Sequence, residues 1–263
     1  MAGSTDRPEF RAARAGLDAL GEVTSVPDAD SAAALLEGAE LVPELIVVAQ
    51  AYPSQFPQEA IDRLRCLCPL SRVLGLMGSW CEGEMRTGRP WPGSIRIYWH
   101  QWLPQCGRQL ACMARNECSV WDLPVTATEE ERLLLAAEQP LPDCPGLVAI
   151  YSHRYEMGDW LSAALRSRGC STVWLRPPHP ARVEGAAAAV FDGSELRGEQ
   201  LDELKQLSTA LTPAPILALL SFPRIEDHRR ARRAGAAAVL SKPLQLGNLF
   251  WELDRALNTP ADG

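Results

Sequence analysis

The sequence predicts an α/β protein made of two doubly wound domains with parallel sheets. Three observations lead there. Short apolar runs alternate with helical patterns through the second half, a proline-rich connector divides the chain near its middle, and the first half repeats a similar order of features in blurred form. Strands that are apolar throughout, rather than alternately, are buried on both faces, which is the habit of parallel sheets covered by helices.

In chain order, Phe10, Ala13, Leu17 and Leu20 recur at helical spacing until Gly21 ends the run. EVTSV (22–26) reads as a strand and DADSAAALLEG (28–38) as a short capped helix. PELIVVAQAYP (43–53) holds the next strand, Ile61, Leu64 and Cys68 mark a helix, and RVLGLMGSW (72–80) and SIRIYWHQW (94–102) supply two more strands. Between these two, SWCEGEMRTGRPWPG (79–93) is too rich in Gly, Pro and Trp for an ordinary helix. No strand is evident ahead of the first helix. Either the start is late, the domain is four-stranded, or the repeat does not hold.

Pro124, Pro140, Pro142 and Pro145 punctuate a connector with one helix inside it, where Thr128 and Glu131 form a capping-box pattern. The expected domains are therefore 1–117 and 146–263, with a linker over 118–145. In the second half GLVAIY (146–151), STVWL (171–175), AAAAVF (186–191), PILALL (215–220) and AAVL (237–240) read as strands. Helices follow from Trp160, Leu161, Ala164 and Leu165, from Leu201, Leu204, Leu207 and Leu211, from the basic stretch 225–234, and from Leu246, Leu249, Phe250, Leu253 and Leu257. Prolines after the second strand disfavour a regular helix there.

Composition excludes several classes. With 263 residues, 46% hydrophobic and 22% charged, and a mean hydropathy of -0.12, the chain is globular and not disordered. Its start lacks an apolar secretion core, so a cytoplasmic location without membrane attachment is expected. A net charge of -7 argues against a broad nucleic-acid surface, and no helix-turn-helix output module is expected. The arginines 229, 230, 232 and 233 read as a solvated helix end. The eight cysteines show no CxxC pair and are expected as free thiols, ahead of a zinc site using Cys66, Cys68, Cys81 and one of the later three. No nucleophile–base motif or glycine-rich phosphate loop appears, so no enzyme and no cofactor are expected. A chemistry built on His100 or His153 with a cysteine is the weaker alternative.

VFDGSE, ALLSFP and RRAGAAAVLSKPL carry a resemblance: residues 146–257 resemble the receiver domain of two-component response regulators, a flavodoxin-like fold. The resemblance implies Asp192 as the phosphoacceptor position, Ser221, or Leu220 by a neighbouring alignment, at the switch hydroxyl, and Lys242 followed by Pro243 at the phosphate-pairing position, with a cis bond between them. It also puts Ser152 and His153 where an acidic pair would hold magnesium. Neither is a carboxylate, so Asp192 and Lys242 are equally well read as a structural ion pair. In the first half the same positions fall on Ala49 or Gln50, Gly78 and His100, a degenerate copy without the phosphorylation residues. The implied function is a non-catalytic signalling or scaffold protein acting through protein partners, a histidine kinase or another signalling protein. The alternative is an atypical receiver phosphorylated at Asp192 in a phosphorelay, with magnesium. The 79–93 loop, with Trp80, Arg86, Arg89 and Trp91, is the candidate contact surface because aromatic and arginine side chains dominate interface hot spots. The competing expectation is that its tryptophans fill a core short of one strand and one helix.

Overall fold

The computed structural model of the chain describes residues 1–38, 42–84, 88–115, 117–124, 126–138, 143–178 and 181–258. They fall into two compact units, Met1–Ala136 and Ala137–Gly263. The first contains β1 (Ala2–Gly3), α1 (Arg11–Asp18), α2 (Ala29–Glu37), β2 (Leu45–Gln50), α3 (Gln58–Leu67), β3 (Arg72–Met77), β4 (Ile95–Tyr98), α4 (Trp102–Ala114) and most of α5 (Glu129–Glu138). Its sheet runs β1-β2-β3-β4, all parallel.

Two expectations change here. A strand does precede the first helix: Ala2 pairs with Val48 and Gly3 with Ala49. At two residues β1 has no apolar run to betray it, and its register comes from β2. Glycine is required at position 3, where φ is +114° and a Cβ would stand 2.4 Å from the Ala49 carbonyl oxygen. The segment 22–26, expected as a strand, keeps only a parallel bridge from Val26 to Ala2, because so short a neighbour offers nothing more to pair with. Since Ala2 bridges Val26 on one side and Val48 on the other, the extended segments lie in the order Val26, β1, β2, β3, β4.

α2 and α3 pack Ala29, Ala33, Ile61 and Leu64 against Ile46 and Val48 of β2. Asp28 caps α2 by accepting from the Ser31 amide at 2.7 Å. Residues 118–124, expected in the connector, carry a buried Trp121 and a buried Ser119, and Asp122 pairs with Arg72 at the start of β3. Thr128 and Glu131 cap α5 reciprocally: the Thr128 hydroxyl accepts from the Glu131 amide at 3.2 Å and the Glu131 carboxylate from the Thr128 amide at 2.7 Å.

The second unit contains β5 (Gly146–Ser152), α6 (Tyr155–Arg166), β6 (Cys170–Leu175), β7 (Ala186–Asp192), α7 (Glu199–Leu211), β8 (Ile216–Ser221), α8 (Ile225–Arg233), β9 (Ala236–Lys242) and α9 (Leu246–Asn258). Its sheet is parallel throughout, in the order β6-β5-β7-β8-β9. That is the flavodoxin-like order, whose switch point lies between the first and third strands. Alternate residues divide between two cores. Val148, Ile150, Val190, Leu217 and Leu219 face α6 and α9, while Ala149, Tyr151, Phe191, Ala218 and Leu220 face α7 and α8. Burial on both faces is why these strands read as unbroken apolar runs. All eight cysteines are free. Among the described residues no helix is long and apolar enough to cross a membrane.

Candidate functional site

Parallel pairing brings the carboxyl ends of β5, β7, β8 and β9 to one edge of the second sheet. Ser152 stands beside Asp192 across β5 and β7, and Lys242 beside Ser221 across β8 and β9. Asp192 is 5% exposed, and side-chain donors close on both of its oxygens. Lys242 Nζ reaches Oδ1 at 2.8 Å and also the Gly193 carbonyl. Ser152 Oγ donates to Oδ2 at 2.8 Å while accepting from the Arg154 amide at 3.1 Å. Arg154 Nη2 lies 3.0 Å from Oδ1 and 3.3 Å from Oδ2. Burial, the largest single influence on Asp192, pushes its carboxyl up. Hydrogen bonds from Lys242, Ser152 and Arg154 outweigh it and hold the group below the ordinary aspartate value.

The other expected residues distribute around this cluster. Pro243 follows Lys242 through a cis bond. Ser221 is half-buried, its amide donating to the Ser194 carbonyl at 3.0 Å, and its hydroxyl is not among the partners of Asp192. Leu220, the neighbouring alignment, is buried in the core. His153 turns away from Asp192 and places Nε2 3.0 Å from both oxygens of Glu203 on α7, a carboxylate only 3% exposed. Sequence reasoning missed Arg154 and Glu203. The signal for Arg154 was its position one residue beyond the acidic-pair positions. Glu203 gave none, because fifty residues separate it from His153.

A magnesium ion here would need several hard oxygen ligands. The strand end supplies a serine hydroxyl already donating to Asp192, a histidine turned to Glu203, and a guanidinium on the flank of the carboxylate that a cation would share. Among the described residues no group of three or more His, Cys, Asp or Glu is placed to hold a metal. These residues do not fit a magnesium site.

The corresponding edge of the first unit is polar by other means. Gln50 pairs with Met77 and Met77 with Tyr98, as Asp192 pairs with Leu219 and Leu219 with Leu240. Gln50 and not Ala49 therefore holds the place of Asp192, and His100, two beyond Tyr98, holds that of Lys242. Gln50 is 1% exposed. Its Nε2 donates to both oxygens of buried Glu84 at 3.1 Å, and Glu84 pairs with Arg96 of β4. Gln50 Oε1 is buried without a hydrogen-bond partner among the described residues. The Cys81 thiol at this edge is pushed up by burial first, with Glu84 adding to the shift.

The 79–93 loop divides. Trp80 is 73% exposed and Arg89 is exposed, as a contact surface requires. Trp91 is not: it is 7% exposed, donates from Nε1 to the Phe56 carbonyl at 3.0 Å, and belongs to the core with Ile61 and Met77. The reason is Gly75, where a Cβ would stand 3.0 Å from the Trp91 ring, so the indole fills the space a side chain would take. Trp99 and Trp102 are buried as well. Arg86 lies outside the described residues.

No family model and no curated protein matches the chain. Solved structures with a similar arrangement cover less than half of it. They include a pilus assembly-related protein from Burkholderia pseudomallei (18% identity, 44% of this chain and 93% of that one, TM-score 0.39). The non-phosphorylated HemR receiver domain from Leptospira biflexa is another (18% identity, 45% and 98%, TM-score 0.37). A third is a response regulator from Thermotoga maritima (13% identity, 44% and 100%, TM-score 0.36).

Proposed function

We propose that the chain is a non-catalytic signalling protein of two receiver-like units acting through protein contacts, in which the phosphorylation site of the second has become a fixed ion cluster. One observation carries this reading. Asp192 is buried with Lys242, Arg154 and Ser152 on its two oxygens. In-line phosphoryl transfer needs a carboxylate oxygen free to attack and a metal to offset the charge of the phosphoryl group. Here the attacking lone pairs are engaged, and Arg154 sits on the carboxylate in place of a removable cation. The cluster ties the ends of β5, β7 and β9 to the loop entering α6, so its contribution is to fix that edge. The first unit, with the same strand order once the Val26 bridge is counted and Gln50 in place of the aspartate, is the further eroded copy.

The test is titration of the full chain with acetyl phosphate or beryllofluoride, with and without magnesium, followed by amide NMR. No magnesium-dependent shifts centred on Asp192 are expected. Such shifts, abolished by Asp192→Asn, would replace this reading with the phosphoacceptor one.

A further inference from the structure

A groove of ≈ 280 Å³ opens at the carboxyl ends of β5 and β6, lined by Ser152, His153, Tyr155, Trp174, Arg176 and Pro177. It lies on the β6 side of β5, at the carboxyl-end edge of the sheet where open α/β folds bind ligands. Its floor is built. Trp174 lies against α6 at Gly158, where a Cβ would stand 2.8 Å from the indole, and its Nε1 donates to the Ser152 carbonyl at 3.1 Å. The Arg176 guanidinium stacks over the Trp174 ring at 4.5 Å. It is exposed, and no carboxylate pairs with it among the described residues. Stacking on an aromatic face fixes the plane of a guanidinium while leaving its edge N–H groups free for a bidentate oxyanion. Beside it Tyr155 is 61% exposed, its ring 5.4 Å from that of Trp174.

We propose that this groove binds a small phosphate monoester bearing a planar ring, of the nucleoside monophosphate class, with the phosphate on Arg176 and the ring against Tyr155. A guanidinium fixed by stacking and without a carboxylate among the described residues suits the dianion, an exposed aromatic face suits a base, and the volume admits one such molecule but not a large ligand. Ser152 belongs both to the groove and to the Asp192 cluster, so occupancy is read at the same edge of the sheet.

The experiment is amide NMR of the full chain titrated with AMP and GMP, with adenosine and inorganic phosphate as partial ligands. A nucleotide should saturate shifts confined to residues 152–158 and 174–177 with a Kd of about 1 mM or tighter. Either partial ligand should bind at least about ten-fold more weakly, and Arg176→Ala should weaken the nucleotide by about ten-fold, the worth of one charge-assisted contact. Tyr155→Ala should weaken the nucleotide but not inorganic phosphate. Absence of nucleotide shifts, binding unchanged by Arg176→Ala, or inorganic phosphate binding as well as the nucleotide would each overturn the proposal. Arg176 touches none of the groups on Asp192, so its failure would leave the reading of the ion cluster standing.

Discussion

The two units treat the same edge of the sheet in opposite ways. In the second, the strand-end residue is an anion, and cations come to it from β9 and from the loop after β5. In the first, the strand-end residue is a neutral amide, and the anion comes from elsewhere: Glu84 is brought by the 79–93 loop and Arg96 by β4. The comparison teaches that a polar group at this buried strand end demands partners, while leaving open which element supplies the charge.

The comparison can be broken most forcefully at the ion pairs. Lys242→Met leaves Asp192, 5% exposed, without its ammonium, and should destabilise the second unit by about 3–5 kcal/mol. Arg96→Met, which strands Glu84, should cost the first unit a similar amount. Urea unfolding followed by NMR probes in each unit would show whether each loss stays within its own unit. A second-unit loss near zero would mean that Arg154 and Ser152 suffice for Asp192. Gly158→Ala pushes a methyl into Trp174 and should cost about 1–3 kcal/mol by overpacking, visible in the same titration as a lower midpoint.

A finer contrast lies in pH. The folded carboxyl of Asp192 sits below its unfolded value, so it contributes stability that is complete above the unfolded pKa of about 3.9 and is lost as pH falls through the folded pKa. Gln50 cannot titrate. Asp192→Asn should therefore flatten the acid limb of second-unit stability below about pH 4 and leave the first unit unchanged. Urea midpoints measured from neutral to acid pH would check this. The smallest effect belongs to Trp80→Ala, which should change stability by no more than about 0.5 kcal/mol, because the indole is 73% exposed. The same change at Trp91 should cost about 3–5 kcal/mol, and thermal melts of the two variants would separate a surface tryptophan from a core one.

The second unit was nearly fully legible. Its strands are apolar on both faces and its helices carry regular leucine stripes, so each element announces itself within a short window. The site was half legible. Asp192 and Lys242 end strands whose order implied their meeting, but Arg154 looked like any loop cation. Whether His153 would face Asp192 or Glu203 depended on how α7 packs. In the first unit β1 was invisible because two residues have no period, and the tryptophans of the 79–93 loop could not be sorted by composition.

By itself, then, the sequence determined the alternation of strands and helices, the parallel two-sided sheet of the second unit, the capped starts of α2 and α5, and the absence of carboxylates at positions 152 and 153. These depend on residue types a few positions apart. Tertiary structure alone decided that Arg154 completes the balance of Asp192, that Gln50 recruits Glu84 and Arg96, that Trp91 is core while Trp80 is surface, and that Arg176 is left stacked without a carboxylate among the described residues. Those outcomes join residues separated by tens of positions, through strand register and the space left by glycines, and no local pattern encodes either.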